Sequence, residues 1–230
     1  MLMKSNAGWT VDCFPSYSRS ERLVDNCVHI LGVGAGILGV AVLLITVLPQ
    51  PDNFRLTLGT TVYGFSLLTM LGCSALYNVT RPSPHKALFR RFDHAAIFLM
   101  IAGSYAPFAL NVLEGAMGDS LLYIVGATAF IGSALKLLAP QTLRNGISSA
   151  LYLILGWSGL AAINPLFAKL PASALILLGA GGVLYSVGAA IHHWERLPFQ
   201  NAIWHGLVLA AAACHYGAIL DGVVLHNVAS

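Results

Sequence analysis

Charged side chains are scarce in this sequence. Twelve Lys or Arg and nine Asp or Glu residues make up only 9% of its 230 residues, whereas an average soluble domain carries about 25%. Hydrophobic residues account for 57% of the chain. So few charges could not cover the surface of a water-soluble globule of this length, and a disordered chain would need a far lower hydrophobic content. The composition therefore excludes both classes and predicts an integral membrane protein.

Several common motifs are missing as well. The four cysteines form no CxxC pair and show no regular spacing, which excludes a zinc ribbon and a disulfide framework. The basic residues are scattered between apolar runs, so nucleic acid is not an expected partner. Residues 1–6 lack the apolar core of a cleaved signal peptide. These absences leave membrane lipids as the expected partners.

Seven long runs contain no Asp, Glu, Lys or Arg. Six of them are 20 to 26 residues long, and the shortest, 120–135, reaches spanning length because Lys136 can extend its charged end to the membrane surface. About 20 apolar residues cross the hydrocarbon layer as a helix, and in lipid every backbone group must be bonded within its own segment. We therefore predict an all-α fold, a seven-transmembrane helix bundle, with a tail at 1–25 and one membrane domain at 26–228. The predicted spans are about 27–48, 57–78, 93–113, 119–138, 146–164, 172–192 and 201–224.

The basic residues also predict an orientation. Ten of the twelve Lys and Arg residues fall on one side of the predicted membrane, and only Arg55 and Lys169 fall on the other. Because loops rich in Lys and Arg stay in the cytoplasm, we expect a cytoplasmic N-terminus and an extracytoplasmic C-terminus. The ten residues are Lys4, Arg19, Arg22, Arg81, Lys86, Arg90, Arg91, Lys136, Arg144 and Arg196.

Uncharged polar residues and one acid gather at the cytoplasmic ends of three predicted helices. Ser74 and Asn78 end the second span, Asp93 begins the third, and Asn201 and His205 begin the seventh. Each pair is spaced i,i+4 and therefore shares one helix face. Polar groups at membrane depth usually face the bundle interior and indicate function. The local alternative is that they cap helix ends, bond to their own backbone or, for the histidine, fill an interior position.

Separated segments of the chain resemble one known family. They are SERLVDNCVHILG at 20–32, YGFS at 63–66 with CSALYN at 73–78, FRRFDHAAIFLMIAGSYAPF at 89–108 and PFQNAIWHGLV at 198–208. In this order they are similar to the hemolysin III family, within the wider group of progestin and adipoQ receptors and adiponectin receptors. The resemblance implies seven helices with the N-terminus inside, and a bacterial inner membrane.

The resemblance also implies an intramembrane zinc site. The family pattern places a Ser and a His at the end of helix two, an Asp at the start of helix three and two His at the start of helix seven. Ser74, Asp93 and His205 match it, but Asn78 and Asn201 stand where ligand histidines are expected. Amide oxygens suit zinc less well than imidazole nitrogens. The alternatives are therefore a weakened zinc site, with His29, His94 or His193 as substitute ligands, and a metal-free hydrogen-bonded cluster.

Three functions remain open at this point. The altered site on an otherwise family-like chain favours a lipid-binding, sensing or membrane-homeostasis protein. The second is a zinc-dependent, ceramidase-like lipid amide hydrolase, in which Asp93 would orient a water and Ser74 would support the oxyanion. The third is a pore-forming cytolysin, for which a polar path through the full bilayer depth would be needed.

Overall fold

In the part of the chain that the computed structural model describes, seven helices are long and apolar enough to cross a membrane. The structure describes residues 17–49, 53–113, 115–143 and 145–229, and within these ranges it contains helices and no strand. The predicted all-α, seven-helix fold is therefore confirmed. The first four spans are α1 (Arg19–Val47), α2 (Phe54–Val79), α3 (Pro84–Asn111) and α4 (Ala116–Leu138). The fifth span comprises α5 (Asn145–Trp157), a 3-10 turn (Ser158–Ala162) and α6 (Ile163–Lys169). The sixth span is α7 (Ala172–His192). The seventh span comprises α8 (Gln200–Ile219), a π-helical turn (Leu220–Leu225) and α9 (His226–Ala229).

The first helix begins well before the predicted span, which starts near residue 27. Ser18 caps it: the Ser18 hydroxyl accepts a hydrogen bond from the Glu21 backbone N–H at 3.2 Å, and the Glu21 carboxylate accepts one from the Ser18 N–H at 2.8 Å. This reciprocal arrangement satisfies two backbone donors at the helix start. The charged residues before position 26 interrupt the apolar run but not the helix. Part of the segment that the sequence analysis assigned to the tail is therefore helical. As a result, Asp25 and His29 lie one turn apart on α1.

The fifth span differs from its predicted range of 146–164. It continues to Lys169 and is interrupted by the 3-10 turn, whereas the sequence indicated a helix end at Asn164 and Pro165. Pro165 is the third residue of α6. The first four N–H groups of a helix need no partner within it, so a proline is tolerated there. The proline therefore lies in the first turn of a new helix rather than at the end of the old one.

Tyr105 of α3 supports the interrupted backbone of the fifth span. Its hydroxyl oxygen lies 3.0 Å from the Leu155 carbonyl and 2.7 Å from the Gly156 carbonyl, and it accepts a hydrogen bond from the Gly159 N–H at 2.8 Å. A break in a membrane helix is stable only when neighbouring groups satisfy the released backbone polar groups. One phenol from the adjacent helix supplies that function here.

Among the described residues, the helices enclose two apolar clusters. The larger is built on α1, α2, α3, α7 and α8 and contains the fully buried Leu43, Leu56 and Tyr63. The smaller joins α3, α4 and α5 around Phe98, which is 1% exposed. Small residues let these helices approach closely, since a Cβ added at Gly132 would lie 2.6 Å from the Phe98 ring. Such glycines are typical of helix packing in membranes.

The outer surface of the bundle is apolar. Leu31, Ile45, Phe130 and Ile176 are between 66% and 73% exposed. A soluble protein of this size would not present so much large apolar surface to water. The exposed face is therefore the one that contacts acyl chains.

Candidate functional site

A hydrogen-bonded polar cluster joins the ends of α1, α2 and α8. The Asp25 carboxylate lies at its centre, with Oδ1 2.6 Å from His205 Nδ1. The Asn201 side-chain amide donates one hydrogen bond to Asp25 Oδ2 and one to Asn78 Oδ1, each at 3.1 Å. Asn78 Nδ2 in turn donates to the Ser74 carbonyl at 2.9 Å. Three helices are thus linked through side chains that alternate as donors and acceptors.

His29 lies against this cluster without a hydrogen bond. Its Nε2 is 3.6 Å from Asp25 Oδ2, which is too long for a hydrogen bond. Its ring centroid lies 4.4 Å from that of His205, with the two planes inclined by 54°. The His29 side chain is only 10% exposed, and within the described part of the chain Nε2 has no hydrogen-bond partner. Buried polar atoms normally have a partner, so this nitrogen marks a position where one is missing.

Asp93 and Ser74 form a second polar pair beside the first. Asp93 lies within α3, near the Ser74 side chain of α2 and close enough to His205 and His29 to interact with them electrostatically. Both Asp93 and Ser74 face the same cavity as the two histidines. A carboxylate, a hydroxyl and two imidazoles therefore share one concave surface.

Tyr17 lies just before α1 and lines the same cavity. Burial is the main cause that raises the pKa of its phenol to about 12, and the nearby Tyr77 phenol and Asp25 carboxylate add to the shift. The Tyr17 hydroxyl therefore stays protonated at neutral pH and can donate a hydrogen bond into the cavity that it lines.

The cavity has a volume of about 830 Å³ and extends from the polar cluster into the bundle. This volume is within the range of sites that bind small molecules. Its polar end is formed by His29, Ser74, Asp93, Asn201 and His205. Away from that end its walls include apolar side chains of α3, the fifth span, α7 and α8, among them Met100, Phe108, Ile163, Leu166, Leu178 and Leu209.

The family ligand positions do not fit a zinc site with three imidazoles. Of the three positions, only His205 carries a ring nitrogen. The amides of Asn78 and Asn201 are bonded to each other, and Asn201 also holds Asp25. Neutral amide oxygens are poor zinc ligands beside imidazole, thiolate or carboxylate. No chemical step through zinc at these three positions follows from this geometry.

A different group is compatible with a metal ion. Asp25, His29 and His205 each offer one ligand atom, and these atoms all lie within 4.8 Å of one another. One carboxylate and two imidazoles form a donor set known from zinc sites. Family resemblance and donor chemistry together make this group, among the described residues, compatible with zinc.

The residues predicted from the sequence lie at the same end of the bundle. The structure brings Asn78 into hydrogen-bond contact with Asn201 and places Ser74 near Asp93. His205 bonds to Asp25 instead of to either asparagine. Of the five expected side chains, Ser74, Asp93, Asn201 and His205 line the cavity, and Asn78 lies behind Asn201, to which it is hydrogen-bonded.

Asp25 was missed by the sequence analysis, which grouped it with the N-terminal tail. His29 was considered only as a substitute ligand at the membrane interface, and the other two substitutes lie outside the Asp25 group. His193 Nε2, for example, lies 3.0 Å from the Ser149 hydroxyl. The available signal was the i,i+4 spacing of Asp25 and His29, which matches the spacing of the two pairs that were selected.

Comparison with known proteins agrees with this architecture. A family model described as haemolysin-III related matches residues 17–216. Hemolysin-3 of Bacillus cereus is 38% identical over 203 residues, covering 87% of this chain and 90% of that protein. The Hemolysin-3 homolog of Bacillus subtilis (strain 168) is 32% identical over 204 residues, covering 89% and 95%. The monocyte to macrophage differentiation factor of Homo sapiens is 28% identical over 167 residues, covering 69% and 67%.

The matched region contains the helices that build the cluster and most of the seventh span. The two Bacillus relatives are consistent with a bacterial cell membrane as the location. The seven apolar helices and the length of the match lead to one conclusion: the chain belongs to the haemolysin III family and is a multi-pass integral membrane protein.

Proposed function

We propose that this protein binds a single amphiphilic lipid inside its helix bundle and acts in lipid sensing or membrane homeostasis. The observation that carries the proposal is the cavity of about 830 Å³, which is polar at one end and lined by many apolar side chains beyond it. A lipid head group would lie against Asp93, Ser74 and His205. Its acyl chain would extend along the apolar walls.

The polar end would supply most of the selectivity. An acyl chain gains no hydrophobic free energy by moving from the bilayer into an apolar cavity, because lipid tails are as apolar as the walls. Binding must therefore depend on shape and on hydrogen bonds to the head group. The hydroxyls of Tyr17 and Ser74 and the carboxyl group of Asp93 offer both donors and acceptors there. This combination favours a head group with hydroxyl or amide functions.

The test is the lipid content of the purified protein. We expect mass spectrometry of the full chain in mild detergent to find about one tightly held lipid per protein. Gly179 lines the cavity and has open space where a Cβ would be added, so Gly179→Phe should reduce the lipid content at least several-fold. Gly34 on α1 is equally open but does not line the cavity, and Gly34→Phe is the matched control.

Two results would contradict lipid binding. The first is a correctly folded wild-type protein that carries no lipid and takes up none from vesicles of bacterial phospholipid. The second is an equal loss of lipid in the Gly179 and Gly34 variants, which would show that the lipid is bound outside the cavity.

Hydrolysis of a lipid amide is a second candidate function. It is favoured by the Ser74 and Asp93 pair, which borders the cavity next to His205. Asp93 could accept a proton from an attacking water and pass it to the nitrogen of the leaving amine as the C–N bond breaks, and the Ser74 hydroxyl could donate to the oxyanion. Turnover of a fluorescent ceramide analogue that disappears in Asp93→Asn would support this function. If the protein binds lipid but shows no turnover that depends on Asp93, the hydrolase function is contradicted and lipid binding is supported.

The cytolysin alternative receives little support from the cavity. A conducting path requires polar residues along the bilayer depth, whereas the cavity walls away from the cluster include large apolar side chains such as Met100, Phe108 and Leu166. We expect no conductance from the purified protein in planar bilayers.

A further inference from the structure

We propose that Asp25, His29 and His205 bind one divalent zinc-type cation, so that the metal site of this chain includes helix α1 instead of the two family ligand positions on α2 and α8 that carry asparagine. The inference goes beyond lipid binding, since a lipid could occupy the cavity with or without a metal.

The positions of the three ligand atoms suit a metal ion. Asp25 Oδ2 and His29 Nε2 are 3.6 Å apart, and Asp25 Oδ1 and His205 Nδ1 are 2.6 Å apart. Ligand atoms about 2.0–2.1 Å from a tetrahedral zinc lie roughly 3.4 Å from each other. The two separations fall on either side of this value. The two contacts involve different oxygens of Asp25, so the carboxylate and the two imidazoles would have to reorient to bind one ion, starting from ligand atoms that lie within 4.8 Å of one another.

The unpartnered nitrogen of His29 is an independent observation. The His29 side chain is nine-tenths buried, and Nε2 has no hydrogen-bond partner among the described residues although it points at the Asp25 carboxylate. A buried imidazole nitrogen without a partner is unfavourable. Coordination of a cation by Nε2 would remove that penalty and explain why the ring lies against His205.

The charge of Asp25 compensates for the missing imidazoles. Asn78 and Asn201 are neutral, so the family positions alone would present only one strong ligand to a divalent ion. Asp25 adds a carboxylate that is itself only 9% exposed, and a buried carboxylate binds a cation far more strongly than an amide oxygen does. Two histidines with one carboxylate leave a fourth position. His29 and His205 line the cavity, so this position would face it.

The two asparagines then act as positioning residues. Asn201 donates a hydrogen bond to Asp25 Oδ2, and Asn78 accepts one from the same amide. Hydrogen bonds to a ligating carboxylate fix its orientation and raise metal affinity. With asparagine at the two family positions, the chain loses two histidine ligands. In their place, Asn201 orients the Asp25 carboxylate, and Asn78 holds Asn201.

Metal content and spectroscopy of the full chain in detergent test the proposal. We expect elemental analysis to find about one zinc per protein after purification without added metal. After chelator treatment, Co²⁺ should bind with one-to-one stoichiometry and give the intense visible absorption of a four-coordinate site. Asp25→Asn and His29→Gln should each weaken Co²⁺ binding at least tenfold. His226→Gln, at an exposed histidine outside the cluster, should bind Co²⁺ like the wild type.

Two outcomes would overturn the proposal. One is a folded wild-type protein that binds neither zinc nor Co²⁺. The other is metal binding that His29→Gln and Asp25→Asn leave unchanged, because the ion would then have other ligands. Should a variant fail to fold, X-ray absorption of the zinc-loaded wild type still decides, since two imidazoles and one carboxylate are expected. Lipid content is measured separately, so failure of the metal site and failure of lipid binding are distinguishable.

Discussion

At the scale of single residues, the cluster depends on the difference between an imidazole and an amide. Asn201 donates hydrogen bonds to Asp25 and to Asn78, and Asn78 donates in turn to the Ser74 carbonyl. An imidazole would offer a stronger metal ligand but could not donate two hydrogen bonds from one nitrogen. The two asparagines are therefore suited to holding the Asp25 carboxylate by hydrogen bonds, and not to binding a metal themselves.

Restoring histidine at both positions should move the metal site. In the double variant Asn78→His and Asn201→His, three imidazoles become available in the family pattern, and zinc affinity should rise. Metal binding should then no longer depend on Asp25, so adding Asp25→Asn should change Co²⁺ affinity less than twofold. The double variant Asn78→Gln and Asn201→Gln, which adds bulk without imidazole, is the control. Continued dependence on Asp25 in the histidine variant would contradict the prediction.

At the scale of helices, the fifth span depends on its neighbour. The backbone around its 3-10 turn is satisfied by the Tyr105 hydroxyl of α3, which contacts Leu155, Gly156 and Gly159. The same span also packs against α7, where Trp157 Nε1 donates to the Ser186 hydroxyl at 3.0 Å. Cavity-lining residues on the span, such as Ile163, are positioned by these contacts.

Removing one hydroxyl from α3 should destabilise the fifth span. Tyr105→Phe keeps the ring but leaves the Gly159 N–H and a carbonyl without their partner, which should cost about 1–3 kcal/mol. A lowered midpoint of thermal unfolding in detergent measures the effect. Tyr123→Phe makes the same change at a residue that is 78% exposed and should unfold like the wild type. An unchanged midpoint for Tyr105→Phe would mean that water or another group satisfies the turn.

At the scale of the whole molecule, the bundle is apolar outside and polar at one internal end. Side chains such as Ile45 and Phe130 form the lipid-facing surface, and the cluster of Asp25, His29 and His205 is enclosed. Ten of the twelve basic residues belong to the loops and tail on the cluster side of the predicted topology. The cluster should therefore lie near the cytoplasmic face.

Cysteine labelling in intact cells tests this orientation. In a variant without its four native cysteines, a cysteine at position 85, in the exposed first turn of α3, should be protected from a membrane-impermeant maleimide. A cysteine at position 226, exposed near the C-terminal end, should react. Permeabilised cells, in which both positions should react, are the control. Reaction at 85 and protection at 226 would reverse the topology.

Most of the fold was predictable from the sequence because lipid imposes strong rules. A helix is the only open-ended structure that bonds its own backbone groups within a segment, so charge-free runs identify the seven spans. The bounds were less predictable. Ser18 starts α1 through local capping, before the apolar run begins. The 3-10 turn of the fifth span depends on Tyr105, about fifty residues earlier in the chain.

The site was predictable only in part, for a related physical reason. The sequence by itself predicted that Ser74, Asn78, Asp93, Asn201 and His205 lie toward one side of the membrane, but it placed Asp93 at the start of the third helix, whereas α3 begins at Pro84 and Asp93 lies inside it. The spacing of residues along one helix predicts which of them share a face. The direction in which that face points depends on how the helix packs against its neighbours. Only the tertiary structure therefore decided that α1 turns Asp25 and His29 toward His205 and leaves the cavity beside them.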